Sequence, residues 1–192
     1  MKPPPNTSTD EPRVAFLGPV GSFSHQAAIA IFGEKMHQHP LANPREVIHA
    51  VAERRREVTH AVVPIENAVC GRIDEVADLI EQLPVAVMQR HPIPVELCLI
   101  GTASPRRIHS KREVFQQCES WLRRHHPDAD CIEAPSSSAA VAMLAVTDDE
   151  ETAAIGSALA AQLYEQTVIA TGIADVPDNR TEFVVLVAKP PT

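Results

Sequence analysis

Short runs of β-branched and aliphatic residues, each closed by a polar turn and followed by a helix start, recur along this chain. That rhythm limits the fold more than any other feature. Arg13-Val14-Ala15-Phe16-Leu17 reads as a buried strand ended by Gly18-Pro19-Val20-Gly21, with Ser22 or Ser24 placed to cap a helix over His25–Phe32. Asn43-Pro44-Arg45-Glu46 combines an Asn cap, a proline at the first helical position and a glutamate at the third, and predicts a helix to about Arg56. His60–Ile65 reads as a strand left through Glu66–Gly71, and Ile73, Val76, Ala77 and Ile80 then repeat at helical spacing. Val85–Met88 and Val95–Ile100 read as strands separated by His91-Pro92-Ile93-Pro94, a candidate hinge.

The second half keeps the rhythm. Lys111–Arg124 is predicted as one amphipathic helix, Cys131-Ile132 as a short strand, and Ser136-Ser137-Ser138 as the capped start of a helix through Leu144. Ala153–Ile155, Ser157–Tyr164 and Val168–Ala170 follow as strand, helix and strand. Alternating strands and helices imply an α/β fold with mainly parallel sheets, in which ligands bind beyond the carboxyl ends of the strands. The polar turns at Gly18–Ser24, Glu66–Gly71 and 136–138 are therefore expected to converge on one cleft. A strand, a glycine-bearing turn and a helix N-terminus also make an anion site, because the first helical N–H groups lack acceptors.

The last strand carries a second signal. Phe183–Val187 is an apolar run of strand length, entered through Asp178-Asn179-Arg180-Thr181-Glu182. Alternation puts Arg180 and Glu182 on one face and Thr181 and Phe183 on the other. A hydroxyl, an amide and opposed charges at a strand mouth suit a polar ligand; they also suit a strand entered from a turn, since Pro177-Asp178-Asn179 reads as one.

Composition excludes several classes. The 192 residues fit one medium domain or two small lobes around a cleft, and 44% apolar with only 4% aromatic content predicts an aliphatic core. A formal charge of −8 argues against a nucleic-acid partner. Cys70, Cys98, Cys118 and Cys131 have neither disulfide-framework nor zinc spacing. No apolar run reaches membrane-span length, and the N-terminal tail over 1–11 lacks an apolar signal core. A soluble, cytoplasmic protein is expected.

Four blocks, in order and spacing, resemble the catalytic domain of the prephenate dehydratase family: Leu17–Ala28, Val62-Val63-Pro64-Ile65-Glu66-Asn67, Ser136–Ala140 and Asn179-Arg180-Thr181-Glu182-Phe183. The Phe115-Gln116-Gln117-Cys118 stretch and Ala154-Ile155-Gly156-Ser157 also fit. The resemblance implies two α/β lobes around a central cleft, like a type II periplasmic binding protein, with lobe 1 over 12–90 plus 173–192 and lobe 2 over 91–172. It implies a lyase of phenylalanine biosynthesis, converting the small anionic, chorismate-derived substrate prephenate to phenylpyruvate, without metal or organic cofactor, as a homodimer. By the same analogy Thr181 is the catalytic residue at the leaving hydroxyl. Ser22, Ser136 and Ser137 bind carboxylates, Asn67 and Asn179 orient the ring, and Arg180, Glu182 and Phe183 complete the substrate site.

This chain departs from the family pattern in four places. Glu182 stands where the last block has arginine, Ala68 replaces a hydroxyl residue, Ser110-Lys111-Arg112-Glu113 replaces Ser-His-Pro-Gln, and the family's usual ACT domain is expected to be absent. If residue 182 faced a ligand carboxylate, Glu182 would repel it, and Arg180, Lys111 or Arg112 would have to supply the charge. If Glu182 instead faced solvent or paired with Arg180, the change would be structural. The alternatives carried from these departures are a decarboxylase-like relative that leaves a non-aromatic product, and a non-catalytic ligand-binding relative. Arogenate or another aminated analogue is a further candidate substrate, since an amine would give Glu182 a partner.

Overall fold

The computed structural model describes residues 11–147 and 149–190, so the expected tail over 1–11 lies, but for its last residue, outside the described residues. The chain runs β1 (Arg13–Leu17), α1 (Phe23–Phe32), β2 (His37–Leu41), α2 (Pro44–Ala52), β3 (His60–Asn67), β4 (Gly71–Arg72), α3 (Asp74–Gln82) and β5 (Val85–Pro94). It continues through β6 (Cys98–Ile100), β7 (Arg107–Ser110), α4 (Arg112–Gln117), α5 (Glu119–His125), β8 (Asp130–Glu133) and α6 (Ser137–Leu144). β9 (Thr152–Gly156), α7 (Ala158–Leu163), β10 (Val168–Ala170) and β11 (Arg180–Ala188) complete it.

These elements form two sheets, ordered β2-β1-β3-β11-β5 with β4 on β3, and β10-β6-β9-β7-β8. Helices cover them to give two α/β lobes around a cleft, the periplasmic-binding-protein-like arrangement. The first sheet buries Val47, Val51, Val63 and Leu186 on one face and Val14, Phe16, Val62 and Phe183 on the other. A core of Leu99, Ile108, Ala153 and Ile155 lies on one side of the second sheet, and one of Ile100, Val141 and Ala154 on the other. Few aromatic residues contribute, so small aliphatic side chains set the spacing of the layers.

The sheets are mixed, not mainly parallel. β1 pairs β2 and β3 in parallel, and β7 pairs β8 and β9 in parallel, as helical crossovers require. β11, however, returns from the second lobe and enters between β3 and β5 antiparallel to both. β6 is likewise antiparallel to β9. The chain thus crosses between sheets twice, and the two crossings touch: Val95 N donates to Asn179 O at 2.8 Å and Ile173 N to Leu97 O at 3.1 Å.

Three further expectations are corrected. His91–Pro94 is not a break, because β5 pairs with β11 out to Arg180↔Pro94; as an edge strand β5 can point its proline nitrogens away from the ladder. The crossing falls instead just after Pro94. The helix from Pro44 stops at Ala52, and a 3₁₀ turn at Arg55–Glu57 follows, with Arg54, Arg56 and Glu57 at positive φ. The single helix expected over Lys111–Arg124 is two, broken at Cys118. Asp175, on the returning crossing, causes the break: its N–H donates to Gln117 O at 2.7 Å, closing α4, and its carboxylate accepts from Ser120 N at 2.8 Å and Trp121 N at 3.0 Å, starting α5.

Candidate active site

A cleft of about 510 Å³ lies between the lobes. The first lobe contributes the Leu17–Ser24 turn, Asn43, Asn67 and Thr181; the second contributes Lys111, Gln117, Ser136 and Ser137. The expected convergence of polar turns is therefore present, although of Glu66–Gly71 only Asn67 reaches the cleft.

Two serine-capped helix N-termini face it, besides the starts of α2 at Asn43 and of α4 at Lys111. Ser22 caps α1, its Oγ accepting from His25 N at 3.2 Å, and Ser136 caps α6, its Oγ accepting from Ala139 N at 3.0 Å. Each cap satisfies the third helical N–H and leaves those of Phe23 and Ser24, and of Ser137 and Ser138, without an intrahelical acceptor. Partial positive charge is thereby concentrated at two places in one cleft, a geometry for two anionic groups. The Ser22 hydroxyl does not itself serve as a ligand donor, because it already donates to Leu17 O at 2.7 Å.

Thr181 is 7% exposed, on the strand face that borders the cleft. Its Oγ1 lies 2.8 Å from Asn67 Nδ2. The Asn67 amide has a definite orientation, because its Oδ1 accepts from Val69 N and Cys70 N, both at 2.9 Å. The nitrogen end must therefore face Thr181, which accepts, and the hydroxyl proton is free to point into the cleft. Asn67 Nδ2 also approaches Asn179 Oδ1 at 3.1 Å, and Asn179 Nδ2 donates to Gln117 Oε1 at 2.7 Å. A chain of amides thus joins Thr181 on one lobe to Gln117 on the other.

Of the residues expected at the site, Ser22, Asn67, Ser136, Ser137, Thr181 and Phe183 border the cleft. Three do not. Asn179 is 5% exposed, outside the cleft lining, and acts on the site through Asn67 and Gln117. Arg180 is exposed and held by Asp178 at 2.6 Å. Glu182 lies in a different hollow of about 320 Å³, where Arg90 Nη1 is 2.9 Å from its carboxylate. Arg180 and Glu182 share the strand face opposite Thr181, as alternation predicts, yet they pair with other residues and not with each other.

Gln117 was not among the expected site residues. It follows Lys111 and Val114 at three-residue steps along α4, and the face those three share lines the cleft. The Phe115–Cys118 block of the family resemblance was the available signal. Lys111 and Glu75 are the charged side chains lining the cleft among the described residues. Cys118, beside Gln117, is a buried packing residue: burial pushes its thiol up to about 12, so it is not a thiolate nucleophile.

Fold and cleft define a class: a two-lobed α/β protein with a polar interlobe cleft lined by helix N-termini. The chain belongs to the prephenate dehydratase family, whose family model, described as prephenate dehydratase, matches residues 14–191. It is similar to a bifunctional chorismate mutase/prephenate dehydratase of Aquifex aeolicus, 32% identical over 178 residues that cover 91% of this chain and 48% of the relative. Among solved structures it is similar to a prephenate dehydratase from Arthrobacter aurescens, with a TM-score of 0.83 and 28% identity, covering 93% of this chain and 61% of that one. It is also similar to GqqA, described as a novel type of quorum-quenching acylase, with a TM-score of 0.81, 25% identity, and 93% and 65% coverage. The chain spans about half the length of the curated relatives it matches. No helix among the described residues is long and apolar enough to cross a membrane.

Proposed function

We propose that this chain is a prephenate dehydratase, a lyase of phenylalanine biosynthesis. The observation that carries this reading is the Thr181 hydroxyl, which accepts from Asn67 and so presents its proton to a cleft edged by two helix N-termini. Prephenate has two carboxylates and a ring hydroxyl. As the bond to the ring carboxylate breaks, carbon dioxide leaves and its electron pair moves into the ring. Hydroxide leaves from the opposite ring carbon, and phenylpyruvate remains. Aromatisation supplies most of the driving force, so the protein has to hold the carboxylates and assist the departing oxygen.

The free N–H groups of α1 and α6 suit the carboxylates, and the Ser136 hydroxyl, which accepts from Ala139, can add a donor. Thr181 donates to the leaving oxygen as negative charge grows there, the hydroxide becoming water with a solvent proton. Gln117 meets the ring from the second lobe, and Asn67, whose amide is fully engaged, orients it through Thr181. A cytoplasmic homodimer is the setting proposed on family grounds.

Glu182 lies outside the cleft, which removes the best support for a non-catalytic relative and for an amine-bearing substrate paired to it. Retention of Thr181 weighs against decarboxylation alone. Purified protein incubated with prephenate should yield phenylpyruvate by absorbance and mass, and Thr181→Ala should yield almost none. A decarboxylated product that keeps its ring hydroxyl, or no turnover at all, would sink the proposal.

A further inference from the structure

The Gly18–Ser22 turn is gripped from both lobes. Ser138 Oγ donates to Val20 O at 2.5 Å and Ser157 Oγ to Gly21 O at 2.7 Å, both from lobe 2. Gly21 has φ of +81°, and a Cβ there would lie 2.9 Å from Ser138 Oγ and 3.0 Å from Ala160 Cβ, so the turn meets the second lobe backbone to side chain. That leaves the Gly21 N–H, which points back into lobe 1. Its acceptor is His25 Nδ1 at 3.0 Å.

His25 is 2% exposed and sits at the third position of α1. Its ring stacks on Phe16 with centroids 4.8 Å apart and planes 11° from parallel, and its Nε2 is buried without a partner in good hydrogen-bond geometry, although the Gln38 side chain lies near the ring. Its own N–H is taken by the Ser22 hydroxyl. The pair of bonds resembles a capping box shifted by one residue, with a histidine ring reaching back where glutamate usually does. A backbone N–H donor requires an unprotonated Nδ1, so the ring carries its proton on Nε2.

We infer that His25 is a positioning residue: its neutral Nδ1 fixes the Gly21–Ser22 turn and, through it, the α1 N-terminus that faces the cleft. His25 touches no cleft ligand itself and acts through Gly21 and Ser22. Its catalytic consequence rests on the dehydratase reading; its structural core does not.

Two variants separate acceptor from ring. His25→Asn keeps an acceptor near the Nδ1 position and loses the stack, whereas His25→Phe keeps the stack and strands the Gly21 N–H. We expect His25→Phe to lose on the order of 100-fold in kcat/KM, as displaced catalytic groups do, while His25→Asn keeps most of the activity at a lower Tm. The reverse ranking, or equal losses, would show that the ring serves only packing and would overturn the inference. Nitrogen NMR of the wild-type protein needs no variant to fold: the Nε2–H tautomer, with a coupling from Gly21 N across the hydrogen bond to Nδ1, is expected. An Nδ1–H tautomer would also overturn the inference. A wild-type protein that does not turn over prephenate would refute the dehydratase reading instead, and the tautomer would still decide the role of His25.

Discussion

Asn67 on β3 and Thr181 on β11 are register partners across an antiparallel ladder, and their side chains meet at 2.8 Å with the direction of donation fixed. The fixed direction comes from Val69 N and Cys70 N, which claim the oxygen end of the Asn67 amide. Exchanging that amide for a carboxylate of the same shape should reverse the contact. Asn67→Asp would still accept from both backbone donors, but its second oxygen would accept from Thr181 and draw the hydroxyl proton away from the cleft. The expected result is a fall of about 10²–10³ in kcat, the usual cost of removing one stabilising donor, with an unchanged circular dichroism spectrum. Wild-type kcat in Asn67→Asp would show that the Thr181 proton is not the one used.

Glu182 gives the opposite expectation. Its carboxylate pairs with Arg90 on a face turned away from the cleft, and both side chains are partly exposed. Glu182→Arg restores the family residue and breaks the pair, at a cost of about 0.2–1 kcal/mol for an exposed salt bridge. KM for prephenate should not change. A several-fold fall in KM on titration of the variant with prephenate would mean that residue 182 reaches the ligand after all.

These two residues also show how far the sequence could be read. Alternation along Arg180–Phe183 placed Thr181 and Phe183 on one face and Arg180 and Glu182 on the other, because a two-residue period is a local property. Which face borders the cleft is not local: it depends on β11 entering between β3 and β5 after the chain has visited the second lobe. Turn residues and caps such as Ser22, Asn43 and Ser136 were legible for the same local reason. The strands β2 and β7 carry little sequence signal, because His37–Leu41 is mostly exposed and polar and Arg107–Ser110 is short and flanked by charges. Mainly parallel pairing does not follow from the alternation of strands and helices, since nothing in a strand's own sequence marks the direction of its neighbour.

Acid should weaken the fold through its histidines before its carboxylates. Burial lowers the pKa of His25, His39 and His60 below the ordinary value of 6.5, with nearby Arg13, Arg56 and His37 adding to the effect at His39. Below that value the unfolded chain binds protons that the folded chain refuses. The stability tied to these groups is therefore complete above about pH 6.5 and is lost as pH falls from there through the folded values. Asp149 is held down to about 2, first by Thr152 and the Glu151 N–H and then by Arg107, so its contribution begins to fail only below about pH 4. Urea midpoints should fall between pH 7.5 and 5.5, where Asp149 stays ionised. A flat profile over that interval would mean the three rings are free to take up protons in the native state.

Asp175 links the stability of lobe 2 to the geometry of the cleft. Its carboxylate accepts two first-turn N–H groups of α5, and its backbone N–H closes α4 on Gln117 O. Asp175→Ala removes the two carboxylate bonds and keeps the backbone N–H bond to Gln117 O, so α5 loses its cap while α4 stays closed. Asp175→Ala should then cost about 0.5–2 kcal/mol, the range for a lost helix cap, or about 1–8 °C in Tm at about 2–4 °C per kcal/mol. The catalytic effect should be larger than the thermal one. As the start of α5 frays, the end of α4 is held less firmly, the Gln117–Asn179 bond of the amide chain to Thr181 weakens, and kcat falls while the protein remains folded at assay temperature. Steady-state kinetics beside a melting curve distinguish this from simple destabilisation: a lower Tm with wild-type kcat and KM would show that Asp175 caps α5 and has no hold on the cleft.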